Sequence, residues 1–120
     1  MDIQTATKGY LDTRKRLETN FNNPNFISDA LYKMGIYLSH IGDHLGKLKA
    51  QYEQDRASSF LSHLSNGESA SKAENLARVD TAEVRGQIAK LELTLKNGQS
   101  LVSIGQSRLR VLEGEARNQI

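Results

Sequence analysis

Large apolar residues recur along the middle of the chain at alternating spacings of four and three residues. The first run consists of Ile27, Leu31, Met34, Leu38, Ile41, Leu45, Leu48 and Tyr52. This spacing keeps every side chain on one stripe of an α-helix and is typical of coiled coils. The stripe resumes in a shifted frame at Phe60, Leu61 and Leu64. The pattern predicts a long helix over 26–65 whose packing face changes between Gln54 and Ala57.

A second run of the same kind lies in the C-terminal half of the chain. Its members are Val84, Ile88, Leu91, Leu95, Gly98, Val102, Gly105, Leu109, Leu112 and Ala116. Three further apolar residues flank the stripe and widen it, namely Leu101, Ile104 and Val111. We expect a helix over 71–117, and the wider apolar face indicates contact with more than one neighbouring helix.

The segment between the two runs contains turn-forming residues and no large apolar side chain. It covers 65–71, so it is interpreted as the bend of a helical hairpin. Asn66 and Gly67 can provide the left-handed C-cap of the first long helix. Either Ser71, which forms a capping box with Glu74, or Ser69 can cap the start of the second.

An upstream break separates a shorter N-terminal helix from the hairpin. Three Asn residues surround the only proline of the chain within 20–25. Before this break, a helix over 5–19 would carry one apolar face with Leu11 beside it. That face consists of Ile3, Tyr10, Leu17 and Phe21. Thr7 and Arg14 occupy the intervening positions of the stripe, so this helix is less hydrophobic.

The predicted fold is all-α: an antiparallel hairpin of two long coiled-coil-like helices plus a shorter N-terminal helix. We assign 1–20 to the N-terminal helix, 21–25 to an Asn/Pro linker and 26–120 to the hairpin, within a single domain overall. Few apolar residues remain outside the stripes, and two long helices alone bury little core, so we expect self-association into a homo-oligomer.

Four glycines add a hint about packing. Gly35 and Gly42 are seven residues apart, and so are Gly98 and Gly105. Each glycine inside a helix costs up to about 1 kcal/mol relative to alanine. Because four such costs occur at heptad spacing, we expect these glycines to lie where the backbone of another helix approaches closely.

Composition excludes several classes of chemistry. The 120 residues contain no Cys and no Trp, so disulfides, thiolate chemistry and Cys-based metal sites are excluded. The sequence has no phosphate-binding loop, nucleophile elbow or zinc-protease motif. His40 and His44 are spaced to share a metal ion, but further ligands are missing, and solvent-facing histidines are the simpler interpretation. We predict a protein without catalytic activity, metal or cofactor.

The charged residues suggest a binding role. Sixteen Lys and Arg against fourteen Asp and Glu give a formal net charge of +2, too small by itself to indicate nucleic acid. The fold, however, would gather bases at the end of the hairpin away from the bend. If the N-terminal helix folds back at the Asn/Pro break, residues 14–16 approach 30–33, and the hairpin places Lys33 near Val102 and Ile27 near Arg108. The bases gathered in this way are Arg14, Lys15, Arg16, Lys33, Arg108 and Arg110.

Lys47 and Lys49 would form a smaller second cluster of bases. Repeated around an oligomer, the two sets could bind a phosphate backbone. Acidic residues in the same region would partly neutralise the larger set; they are Asp12, Glu18, Asp29 and Glu113. The aromatic residues that could stack on bases are Tyr10, Tyr32 and Tyr37.

Several short segments, taken together, resemble small helical proteins of bacteriophages. The segments are Leu31-Tyr32-Lys33, the long helix to Leu64, Ser71-Lys72-Ala73-Glu74-Asn75 and Gln106-Ser107-Arg108-Leu109-Arg110. Over 27–112 the chain resembles the UvsY-type recombination mediators, which oligomerise, bind single-stranded DNA and help to load a recombinase. The resemblance implies DNA contacts by Lys33, Lys47, Lys49, Arg108 and Arg110.

The leading functional prediction is a non-catalytic phage-type protein that engages single-stranded DNA, or the recombination machinery that covers it. The alternative is a protein–protein inhibitor of a host defence nuclease, similar to an anti-CRISPR protein, or another helical adaptor. A structural or secretion-associated coiled coil is a third possibility. With neither a signal peptide nor an apolar segment of membrane-spanning length in sight, we expect the cytoplasm of a host cell and no membrane partner.

Overall fold

The computed structural model describes residues 1–118 and is all-α, as predicted. Helices account for 91% of it, and this described part contains no strand. The four helices are α1 (Ile3–Thr19), α2 (Pro24–Ser65), α3 (Ala70–Asp80) and α4 (Ala82–Asn118). None of them is long and apolar enough to cross a membrane.

The contacts divide the chain into two compact units. The first unit comprises Met1–Gly42 together with the described residues from Leu93 onward, and the second comprises Asp43–Glu92. The first unit therefore contains α1, the beginning of α2 and most of α4. The second contains the remainder of α2, all of α3 and the beginning of α4.

The apolar stripe of α2 forms the core of the first unit, as its spacing predicts. Ile27, Met34 and Ile41 are completely buried, and Leu38 is nearly so. Ala30 adds a small buried side chain on the same face. Burying each large aliphatic side chain contributes roughly 1.5–3 kcal/mol, so this stripe stabilises the unit by several kcal/mol.

Helix α1 packs through smaller residues than the sequence suggests. Its buried positions, at the same alternating spacing, are Ala6, Tyr10, Thr13 and Leu17. Ala6 and Thr13 therefore fill the stripe, and the assignment of Thr7 and Arg14 to it was wrong. The Thr13 hydroxyl donates to the Gly9 carbonyl, which satisfies it inside the helix. The sequence pattern located Tyr10 and Leu17 on this face, but it missed the small side chains between them, which give little hydrophobic signal.

Helices α2 and α4 pack against each other in antiparallel order within the first unit. A Cβ at Gly98 would lie 2.5 Å from Cδ2 of Leu38, and one at Gly105 would lie 2.7 Å from Cδ2 of Leu31. Moving forward from Leu31 to Leu38 therefore moves backward by the same number of residues along α4. This register matches the predicted hairpin to within one residue.

The glycine prediction is half confirmed. Gly98 and Gly105 are buried because leucine side chains of α2 occupy the space above them. At Gly35 and Gly42, in contrast, a Cβ would have nothing within 4 Å, so no other part of the described chain approaches them. Heptad spacing alone does not reveal which side of a helix a glycine faces.

In the second unit, the predicted helix over 71–117 is two helices. Helix α3 ends at Asp80 and α4 starts at Ala82, with the buried Thr81 between them. The Thr81 hydroxyl donates to the Ala77 carbonyl at 2.8 Å. A hydrogen bond from a threonine hydroxyl to the carbonyl four residues earlier often bends a helix. The apolar run that predicted the helix starts only at Val84, so it gave no information about this junction.

The turn between α2 and α3 has the predicted left-handed glycine. Gly67 has φ +88°, its N–H donates to the Leu64 carbonyl, and the Glu68 N–H donates to the His63 carbonyl. These two bonds form a Schellman motif, which closes α2. Of the two candidate N-caps, Ser69 is the one used: its hydroxyl accepts from the Lys72 N–H at 3.2 Å.

The packing face at the end of α2 differs from the prediction. Phe60 is half-buried, as the shifted frame predicts, but Leu61 is 61% exposed and Leu64 is also exposed, so two of the three residues of that frame were wrong. Polar residues contact α3 instead: Arg56 pairs with Glu74, while Ser59 and His63 bind Asp80. Hydrophobic periodicity cannot detect an interface of this kind.

Candidate nucleic-acid interface

The basic cluster of α1 lies on the surface of the first unit. Arg14, Lys15 and Arg16 are all exposed. Arg14 forms an ion pair with Glu18 at 3.4 Å, one turn further along the helix. Among residues 1–118, no acidic side chain pairs with Lys15 or Arg16, so these two are the bases that a ligand could use.

The register between α1 and α2 agrees with the predicted fold-back. A Cβ at Gly9 would overlap the ring of Tyr37, which fixes where the two helices meet. Since they run in opposite directions, Arg14–Arg16 lie level with residues 30–32 along the helix axes. Lys33 is adjacent to this level but is engaged, because its ammonium lies 3.1 Å from the Asp29 carboxylate.

Arg108 holds the loop between α1 and α2 in place. Its Nε donates to the Phe21 carbonyl at 3.1 Å, and its Nη2 donates to the side-chain oxygen of Asn22. The guanidinium therefore stabilises the fold, and two of its five N–H donors are used in doing so. Arg110 is exposed on the same helix and has no acidic partner within the described residues.

Lys47 and Lys49, in the second unit, do not form a cluster. Residues two apart on a helix point to different sides, so the two ammonium groups cannot act together. Lys49 pairs with Glu92 at 3.3 Å. Lys47 is exposed and unpaired among residues 1–118.

The eight predicted DNA-contacting bases thus fall into two groups. Four are engaged inside the chain: Arg14, Lys33, Lys49 and Arg108. Four remain exposed without an acidic partner in the described chain: Lys15, Arg16, Lys47 and Arg110. Two of the engaged bases pair with a carboxylate four residues away on the same helix, a spacing that is visible in the sequence. The contacts of Lys49 and Arg108 depend on packing between distant parts of the chain, which the sequence does not reveal.

The aromatic candidates for base stacking reduce to one. Tyr10 is 1% exposed inside the core of the first unit, and Tyr37 packs over Gly9. Tyr32 is 71% exposed and precedes Lys33. It borders a shallow groove on the outer face of α2, next to Gly35 and Ile36.

The two histidines that are spaced to share a metal ion have no third ligand grouped with them in the described chain. His40 and His44 are both half-buried on α2. Within residues 1–118, no group of three or more His, Cys, Asp or Glu side chains could hold a metal ion.

One polar cluster of the second unit was missed by sequence reasoning. The Ser59 hydroxyl donates to Oδ2 of Asp80 at 2.6 Å, and Nε2 of His63 lies 2.8 Å from the same oxygen. The hydrogen bonds from Ser59 and then from His63 hold the pKa of Asp80 below its ordinary value. The sequence signal was weak: Ser59 and His63 are four residues apart and therefore lie on one side of α2.

This cluster is not arranged as a catalytic triad, although it contains the same three residue types. In a triad the serine donates to the imidazole, and the imidazole donates to the carboxylate. Here Ser59 and His63 both bind one oxygen of Asp80. The arrangement fastens the end of α3 to α2.

No family model, no curated protein and no solved structure matches this chain. The resemblance to the UvsY-type mediators stays a prediction. The functional argument therefore depends on the surface described above.

Proposed function

We propose that this chain is a non-catalytic helical binding protein of the bacteriophage type. It would self-associate and engage single-stranded DNA, or the recombination proteins that cover it, inside the host cell. The observation that carries the proposal is the set of exposed bases without an acidic partner in the described chain: Lys15, Arg16, Lys47 and Arg110.

Three of these bases belong to one end of the first unit. The contact of Gly9 with Tyr37 sets Lys15 and Arg16 level with the first turns of α2. The contact of Gly105 with Leu31 sets Arg110 at the same end. Exposed bases near one another neutralise successive phosphates and release their counterions, which is the main source of affinity without sequence preference.

The state of the α4 stripe supports self-association. Gly98 and Gly105 are its only buried members among residues 82–118. The larger members are only half-buried, for example Leu95, Val102 and Leu109. A second copy of the chain packed along this side would remove more of this apolar surface from water, and it would multiply the number of bases that face DNA.

Salt-dependent binding of a labelled single-stranded oligonucleotide tests the DNA part of the proposal. Fluorescence anisotropy over a series of salt concentrations gives the slope of log affinity against log salt. Neutralising Lys15, Arg16 and Arg110 with glutamine should make the slope shallower by about 2 per chain, since each lost phosphate contact changes it by about 0.7.

A matched triple variant removes the same number of positive charges from engaged bases. Replacing Arg14, Lys33 and Lys49 with glutamine should leave the slope close to that of the unchanged protein, because these side chains already bind carboxylates. Equal loss in both variants would mean that only net charge matters. Absence of binding even at low ionic strength would refute the proposal.

A second candidate function has its own observation. Tyr32 and Ile36 are large, partly exposed residues beside a shallow groove on α2. A protein inhibitor of a host defence nuclease could use such a surface to cover the DNA channel of its target. A DNA-cleavage assay with the nuclease tests this function: Tyr32→Ala should relieve inhibition, and Leu11→Ala, an exposed apolar residue on α1, should not.

A further inference from the structure

The chain contains two Asn-Gly pairs in opposite surroundings. Asn66 and Gly67 are exposed at the C-terminal end of α2, where Gly67 has φ +88°. Asn97 and Gly98 lie inside α4, and Gly98 is buried under the side chain of Leu38. An Asn-Gly pair is the dipeptide in which the following backbone nitrogen most easily reaches the asparagine side chain, because glycine has no Cβ to obstruct it.

We propose that Asn66 is a site of spontaneous deamidation and that Asn97 is protected from it. The backbone nitrogen of Gly67 loses its proton to solvent base and attacks Cγ of Asn66. A new C–N bond forms, the bond from Cγ to Nδ2 breaks, and ammonia leaves, which gives a succinimide. Water then adds to one of the two succinimide carbonyls, and ring opening yields either aspartate or isoaspartate at position 66.

The local hydrogen bonds make this reaction accessible at Asn66. In the closed turn the Gly67 N–H donates to the Leu64 carbonyl, and the Asn66 N–H donates to Ser62 and His63. The attack requires these bonds to open. They are the last bonds of a helix, and they lie outside any apolar core, so their opening is among the least costly local unfolding events.

The surroundings of Asn97 have the opposite effect. Asn97 and Gly98 are in the interior of α4, a helix of 37 residues, where the backbone nitrogen of Gly98 is part of the regular helical hydrogen bonding. Opening it would also withdraw Leu38 from the space above Gly98. The attack at Asn97 therefore requires the unwinding of packed helix, which costs a large share of the stability of the first unit.

The modification would act on the joint between α2 and α3. Aspartate at position 66 would place a negative charge at the C-terminal end of α2, where the helix dipole disfavours it. Isoaspartate would route the main chain through the side chain and add one methylene group before Gly67. The bonds from Gly67 to Leu64 and from Glu68 to His63 would then be lost.

Tryptic peptide mapping after incubation of the native protein at mildly alkaline pH provides the test. The peptide from Ala57 to Lys72 reports on Asn66, and the peptide from Asn97 to Arg108 reports on the second pair. We expect the mass gain of one deamidation in the first peptide, faster than in the second by about tenfold or more, because helix ends open far more often than helix interiors.

Two controls fix the interpretation. In protein unfolded by urea, both peptides should deamidate at similar rates, since both pairs have the same local chemistry. Asn66→Gln should abolish the gain in the first peptide, and labelling by an isoaspartyl methyltransferase should disappear with it. Similar rates at the two pairs in the native protein, or no gain at Asn66 when the unfolded protein deamidates, would overturn the proposal.

Discussion

Replacing Gly98 with alanine should destabilise the protein, although alanine is the better helix former. In an open helical position this change gains roughly 1 kcal/mol from helix propensity. At Gly98 the new Cβ would lie 2.5 Å from Cδ2, 2.9 Å from Cδ1 and 3.2 Å from Cγ of Leu38. All three are closer than real Cβ atoms approach without some movement of the neighbour, so the leucine must move.

The size of the loss follows from the position of Leu38. Its side chain projects from α2 over Gly98 of α4 and is nearly buried in the core of the first unit. Overpacking of this kind costs typically 1–3 kcal/mol, which exceeds or matches the gain in propensity. Because Leu38 is held in a core, we take the upper part of that range, about 2–3 kcal/mol, and subtract the propensity gain of about 1 kcal/mol. The free energy of unfolding should therefore fall by about 1–2 kcal/mol.

Gly35→Ala is the matched control, since a Cβ there would have nothing within 4 Å. It should raise the free energy of unfolding by about 0.5–1 kcal/mol. Urea unfolding followed by far-UV circular dichroism measures both changes. In the background of Leu38→Ala, which makes room above Gly98, the cost of Gly98→Ala should largely vanish. Equal stabilisation by the two glycine substitutions would refute the packing argument.

Other predictions concern single groups. Tyr10→Phe should leave the free energy of unfolding unchanged or higher, as judged by urea unfolding, because the buried hydroxyl has no hydrogen-bond partner among residues 1–118, whereas Tyr10→Ala should cost about 3–5 kcal/mol. Ser69→Ala should cost about 0.5–2 kcal/mol in the same assay through loss of the N-cap of α3, and Ser71→Ala should have almost no effect. The pKa of Asp80 is lowered in the folded state by the hydrogen bond from Ser59. The stabilisation of the fold by ionised Asp80 should therefore be complete above the pKa of the carboxyl in the unfolded chain, and it should be lost as pH falls through the pKa in the folded state. Asp80→Asn should flatten that acid limb of the stability profile in urea unfolding at a series of pH values, and an unchanged profile would contradict the assignment.

The features that the sequence predicts well are local ones, and most of them are marked by large apolar side chains. The heptad run on α2 located the core of the first unit because Ile27, Met34 and Ile41 are large and strictly spaced. The Asn-Gly pair at 66–67 located the turn because that geometry requires a positive φ. Both features are local, so they can be recognised without knowledge of what packs against them.

The remaining features depend on partners that the sequence does not identify. Half of the buried face of α1 consists of Ala6 and Thr13, which give little hydrophobic signal. The contact of α2 with α3 uses Ser59 and His63, which a hydrophobic pattern counts as solvent-facing. Arg108 resembles a DNA-contacting base in the sequence, and only the positions of its acceptors reveal that it holds a loop.

The small number of exposed bases connects the two parts of the proposed function, DNA binding and self-association. One chain offers, at one end of the first unit, three bases without an acidic partner among residues 1–118. Three phosphate contacts on a single strand give a salt slope of only about 2. Contacts this few hold DNA weakly at physiological salt. If the proposed function is right, we expect tight binding at physiological salt to require several copies whose bases act on one strand. The half-covered stripe of α4 is the surface through which we propose that copies join. DNA affinity should then fall sharply when the protein is diluted below its association range, as measured by light scattering and anisotropy on the same samples. A monomer that binds DNA tightly would separate the two parts and refute this connection.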